Sequence, residues 1–250
     1  MTMIRFGFTV WFLSLVACSG ETVRWDDVSY SAPPLPVHVP IGKFMPSSYA
    51  CPVSVRAVRT GNRMFAAWWS VRRDSSGVLL VSQSNDGGRS WQPAVVADST
   101  DRSVRGCGRP APAIAADSAS GYVHIAYFGE GVSGRGIFFA HSMDSGRTFH
   151  SPVPIVFGDN PGFVAVAAEG DRVAVAYDDP NSVQPTIGIA LSTTMGHIFK
   201  PGAPISNASE LAKQATVELR GDTIRVWWND YSADPRVSAT RMAYRQGIWR

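Results

Sequence analysis

The 250-residue chain carries 23 basic and 20 acidic residues, a formal net charge of +3, and an apolar fraction of 45%. That length and apolar content suffice for one all-β domain with a sizeable core. The charges are scattered, and only Lys43, Lys200 and Lys213 are lysines, so no basic stripe marks a nucleic-acid partner.

In chain order, Arg5 gives the N-terminus a positive start and Phe6 to Val16 is almost wholly apolar. Such a run is too short to span a bilayer and reads as a secretory signal over residues 1–17. Its end, Leu15-Val16-Ala17-Cys18, is similar to the bacterial lipobox. The resemblance implies cleavage before Cys18, lipidation of its sulfur, and, with Ser19 following, an outer-membrane anchor facing the periplasm or the exterior. An ordinary signal peptide is the alternative. Residues 18–30 then form a tether. Outside the cytoplasm, the remaining Cys51 and Cys107 read as one disulfide or as two separate buried thiols.

Residues 31–250 divide into four repeats, about 51–98, 109–158, 161–207 and 213–250. Each holds a strongly alternating strand that ends in aromatics, as in Arg63–Trp69, Tyr122–Phe128, Arg172–Tyr177 and Thr223–Trp228, preceded by a Gly turn at Gly61, Gly121, Gly170 or Gly221. Short β-rich stretches with even Gly and Asn punctuation predict an all-β fold. Four antiparallel strands per repeat is the build of a propeller blade, so a β-propeller of about four blades is expected. An open or truncated propeller and half of an assembly are the alternatives. The last repeat stops at Arg250 without an outer strand, and the segment 33–40 is similar to those at 92–96 and 151–156. It is expected to close the last blade and remove an exposed edge.

The pattern S-x-D-x-G-x-(S/T)-aromatic occurs twice, as Ser84, Asp86, Gly88 and Trp91, and as Ser142, Asp144, Gly146 and Phe149. A weaker copy spans Ser192 to Phe199 with Thr194 in the aspartate position, which predicts a turn held another way. Aspartate accepts backbone N–H groups in a turn, glycine supplies positive φ, and the aromatic buries against the blade. These aspartates are therefore expected to staple turns. The pattern resembles the Asp-box, or bacterial neuraminidase repeat, of sialidases and their relatives.

The layout gathers the loops opposite these turns on one face. Arg72, Arg73, Asp74, Arg105, Arg109, Glu130, Arg135, Asp178, Asp179, Lys213, Asp230, Asp234 and Arg236 fall there. Arginines and carboxylates suit a carboxylated or hydroxyl-rich ligand; a solvated set of loop charges is the alternative. The sialidase resemblance implies a carboxylate-anchoring arginine. Arg109 keeps the Arg-x-x-Pro spacing with Pro112, but Gly108 and Ala111 depart from the family's motif, which also precedes its first box. The same resemblance makes Glu130 and Tyr231 the candidate nucleophile pair and Asp179 or Asp74 the candidate acid, outside the two-carboxylate scheme.

The five histidines show no metal-ligand spacing, and Asp178-Asp179-Pro180-Asn181 reads as a plain turn, not a calcium loop. Neither a metal nor a cofactor is expected. The sequence thus points to a propeller lipoprotein binding a glycan or protein ligand without turnover. An exo-sialidase-type glycoside hydrolase and an envelope assembly factor are the alternatives.

Overall fold

The computed structural model describes residues 23–30, 39–41, 44, 50–207, 211–231 and 240–250. Cys18 and Arg236 lie outside these residues, as does most of the expected closing strand. The strands are β1 (Val23–Trp25), β2 (Ser29–Tyr30), β3 (Arg56–Thr60), β4 (Arg63–Val71), β5 (Gly77–Ser84), β6 (Val95–Asp98), β7 (Ala113–Ala116), β8 (Val123–Gly131), β9 (Gly134–Ser142) and β10 (Val153–Phe157). They continue with β11 (Val164–Glu169), β12 (Arg172–Asp178), β13 (Ile187–Ser192), β14 (Lys200–Pro201), β15 (Leu211–Arg220), β16 (Thr223–Tyr231) and β17 (Thr240–Trp249).

Four antiparallel sheets result, in the orders β3-β4-β5-β6, β7-β8-β9-β10, β11-β12-β13-β14 and β15-β16-β17-β1. Each meanders outward, and residues of β3, β7, β11 and β15 line one central cavity. The protein is a four-bladed β-propeller. The second strands β4, β8 and β12 are buried on both faces, where alternation was expected, because each is covered on either side; β16 keeps the alternation, with half-buried Arg225 between buried Ile224 and Val226. Ala67, Trp69, Leu79 and Val81 of the first blade meet Ile125 and Tyr127 of the second. Phe128 and Phe139 meet Val173 and Val175 of the third. Ile187 and Ile189 meet Val226 and Trp228 of the fourth. On the other flank of the first blade, Phe44 packs edge-on against Trp68 and Trp91, with ring centroids 4.9 and 4.8 Å apart.

The fourth blade takes its outer strand from β1, in the register Val23↔Trp249 and Trp25↔Gly247, while β2 pairs alongside through Tyr30↔Ala243. The tether reading of residues 23–30 is corrected accordingly. The unpaired edge of β17 is met by Val-Arg-Trp, whose alternation buries Val23 and turns Arg24 outward. Gly247 permits the contact, since a Cβ there would lie 2.5 Å from the Val23 side chain. A disulfide joins Cys51 and Cys107, Cα atoms 5.3 Å apart, and so ties the start of the first blade to the loop leading into the second.

The repeated motifs form the β5–β6, β9–β10 and β13–β14 turns. The Ser84 hydroxyl donates to Asp86 (2.8 Å) and accepts the Gly88 N–H (2.9 Å), while Asp86 accepts the Ser90 N–H and hydroxyl. Ser142, Asp144, Gly146 and Thr148 repeat this arrangement. In the third copy the Thr194 hydroxyl accepts the Ile198 N–H at 3.0 Å, so one neutral oxygen does the work of the carboxylate.

Candidate functional site

On the face opposite these turns, a pocket of about 580 Å³ opens where loops of the second, third and fourth blades meet. Its walls come from residues 108–110 ahead of β7, 160–163 ahead of β11, the loop after β12, and Lys213 on β15. That volume falls in the range of small-molecule sites.

Asp178 organises the floor. β15 shifts register between Lys213 and Thr216, and Gln214 there adopts φ +62°. This irregularity delivers the Gln214 N–H to Asp178 Oδ1 at 2.8 Å, while Oδ2 accepts the Phe163 N–H at 3.2 Å. Burial raises the Asp178 pKa, against the opposing pull of those N–H groups and of Lys213. Both carboxyl oxygens thus act as acceptors toward the backbone while the group lines the pocket beside Lys213 and Asn160. Asn160, Ser182 and Asp179 add polar groups, and Phe163, 45% exposed, presents an aromatic face.

Several expected ligand residues are engaged elsewhere. Arg109 is buried, and its guanidinium donates to Asp101 (2.6 Å) and to the carbonyls of Ser75, Ser103 and Gly106. It also lies over the Trp69 ring. No fork remains for a ligand carboxylate, so Arg109 is a wall staple; the Arg-x-x-Pro spacing placed it correctly beside the pocket and could not show its partners. Arg105 grips Glu130 with two donors and Arg135 approaches Glu130 at 3.5 Å and Asp159 at 3.5 Å. The Arg105 hydrogen bond lowers the Glu130 pKa. Glu130, next to last in β8 of the second blade, has its oxygens engaged by Arg105 and Arg135, whereas its expected partner Tyr231 ends β16 in the fourth.

Asp230 is buried and accepts from Arg241 at 3.0 Å. Asp74 caps its own turn through the Ser76 N–H and hydroxyl. Asp179 accepts the Asn181 N–H at 2.9 Å, a turn bond of the kind expected for that segment.

The histidines depart most from the sequence reading. His141, His150 and His197 bring potential ligand nitrogens within 4.8 Å of one another on the motif face. They come from two blades, so no spacing rule could have grouped them. Their one shared signal is position: His141 precedes the second motif, His150 follows it, and His197 lies inside the third.

No protein-family model matches the sequence, and no curated protein matches it. Among solved structures, a protein of unknown function from Dyadobacter fermentans superposes with TM-score 0.54 at 14% identity, over 85% of this chain and 67% of its own. The Trypanosoma rangeli sialidase, bound to 2,3-difluorosialic acid, gives TM-score 0.52 at 12% identity, over 74% of this chain. An ulvan lyase of a polysaccharide lyase family gives TM-score 0.51 at 14% identity, over 76% of this chain. The chain spans 29% of the sialidase and 50% of the lyase. At such identities these likenesses show a sialidase-like propeller fold and nothing finer.

Proposed function

We propose that this chain is an extracytoplasmic propeller, lipidated at Cys18, that holds a glycan in the Asp178 pocket without turning it over. The observation that carries the reading is the pairing of exposed Phe163 with Asp178, Lys213 and Asn160 in one pocket. A flat apolar ring beside a few directed polar groups suits a hydroxyl-rich ligand. The engagement of Arg105, Arg109 and Arg135 with protein carboxylates supports binding over sialoside hydrolysis. Two proteins of similar fold, a sialidase and a polysaccharide lyase, are by name carbohydrate-active.

The test is a panel of neutral and anionic oligosaccharides screened against the purified protein, with hydrolysis of a fluorogenic sialoside measured in parallel. Binding is expected, weakened about tenfold or more by Phe163→Ala, through loss of apolar contact worth about 1.5 kcal/mol, with no hydrolysis. Absence of binding across the panel would sink the proposal. One observation favours a hydrolase instead: the raised pKa of Asp178 suits a general acid. Turnover abolished by Asp178→Asn would establish that alternative. The anchor is checked separately by palmitate labelling, which Cys18→Ser should abolish.

A further inference from the structure

We propose that His141, His150 and His197 form a binding site for a divalent transition-metal ion of the zinc class, set at the rim between the second and third blades. The site is on the motif face, away from the Asp178 pocket, and does not depend on the glycan reading.

The fold assembles it from two directions. His141 is the penultimate residue of β9, and the His150 N–H donates to its carbonyl at 3.0 Å, which makes the two cross-strand neighbours with rings 4.6 Å apart. His197 arrives from the third motif's turn, its ring 4.6 Å from that of His141. The approach is fixed by packing. Phe199 stands edge-on to Phe139 at 4.8 Å, and a Cβ at Gly196 would lie 2.5 Å from the Phe139 ring. Glycine there lets the third blade's turn press against the second blade.

Two features indicate a missing ligand. His141 is 6% exposed, and its Nε2 is buried with no hydrogen-bond partner. Buried polar atoms are rarely left unmatched, because their lost hydration is costly. His197 Nδ1 lies 2.6 Å from the Thr194 carbonyl. A carbonyl only accepts, so Nδ1 carries the hydrogen and Nε2 keeps its lone pair. Metal-ligating histidines are held in this manner by a backbone oxygen on the far nitrogen.

The donor set selects the ion. Three imidazoles without carboxylate or thiolate suit zinc, cobalt, nickel or copper and not magnesium or calcium. Zinc–nitrogen bonds of about 2.1 Å bring ligand nitrogens to about 3.4 Å apart. His150 and His197 are exposed, so their side chains can rotate inward to close that gap around the fixed His141. A tetrahedral ion would keep its fourth position for water or a partner's donor.

The experiment uses protein without a polyhistidine tag, stripped with EDTA and buffer-exchanged, then titrated with cobalt and zinc chlorides. One equivalent of cobalt is expected to give the visible absorption of a four-coordinate nitrogen site, and zinc to displace it. Zinc should raise the melting temperature by roughly 5 °C when well above its dissociation constant. His150→Ala and His197→Ala, both at exposed positions, should leave the metal-free melting temperature unchanged and weaken zinc binding about 100-fold or more. No binding of zinc, cobalt, nickel or copper at millimolar metal overturns the proposal, as does an affinity that both variants leave intact.

Discussion

His124 is wholly buried on β8, stacked on Phe139 at 5.8 Å, and neither ring nitrogen has a partner. Burial, reinforced by His141, lowers its pKa to about 4, with Asp117 pulling the other way and His197 adding to the depression. The unfolded imidazole takes up a proton near pH 6.5 and the folded one near 4, so the unfolded state binds more protons in between. Stability is therefore expected to fall as pH drops from 6.5 through about 4, by on the order of 3 kcal/mol. Urea unfolding in EDTA at several pH values checks this, and His124→Phe should flatten the profile. An unchanged slope in that variant would assign the loss to other groups. The motif turns show how residue identity translates into acceptor chemistry. Asp144 is brought to about 2 by Thr148, Ser142 and Arg147 donors despite partial burial, while Thr194 makes the equivalent backbone bond without a charge. The motif's spacing therefore proved sound as a turn signal even where its aspartate is absent; what changes is the acceptor.

At the scale of strands, the fourth blade depends on a borrowed edge. Gly247→Ala would put a methyl group 2.5 Å from Val23 and 2.9 Å from the Trp25 ring, an overpacking expected to cost about 1–3 kcal/mol. Hydrogen exchange should then show faster exchange in β1 and β17 than in β4 and β8; uniform protection would refute that dependence. The four second strands were legible as alternating strands after a Gly turn, but the burial of both faces of β4, β8 and β12 was not, because it is set by the neighbouring blades. The closing strand was harder to place, because three residues of Val-Arg-Trp carry too little periodicity to compete with a Pro-rich segment that looks like other outer strands. Partners were the least legible feature. Arg109, Glu130 and Asp178 could all be assigned to one face by counting strands, yet which guanidinium meets which carboxylate depends on loop paths that spacing does not encode.

For the molecule as a whole, the Cys51–Cys107 disulfide closes a separation of 56 residues. It fastens the first blade to the second beside the Trp69 and Tyr127 pair, whose rings are 5.6 Å apart. Constraining the unfolded chain over such a loop stabilises by about 2–4 kcal/mol. Guanidinium unfolding with and without reductant should show that difference, and coincident curves would mean that blade packing alone holds the seam.

The pairing of β1 with β17 joins residues that leave the ribosome far apart in time. Val23 is made more than 200 residues before its partner Trp249, so the first strand has to wait, unmatched, while three complete blades are laid down. Completion of the fourth sheet is thereby a checkpoint on the synthesis of β17. A chain interrupted anywhere before β17 leaves the waiting strand without its edge, and the fourth blade never forms.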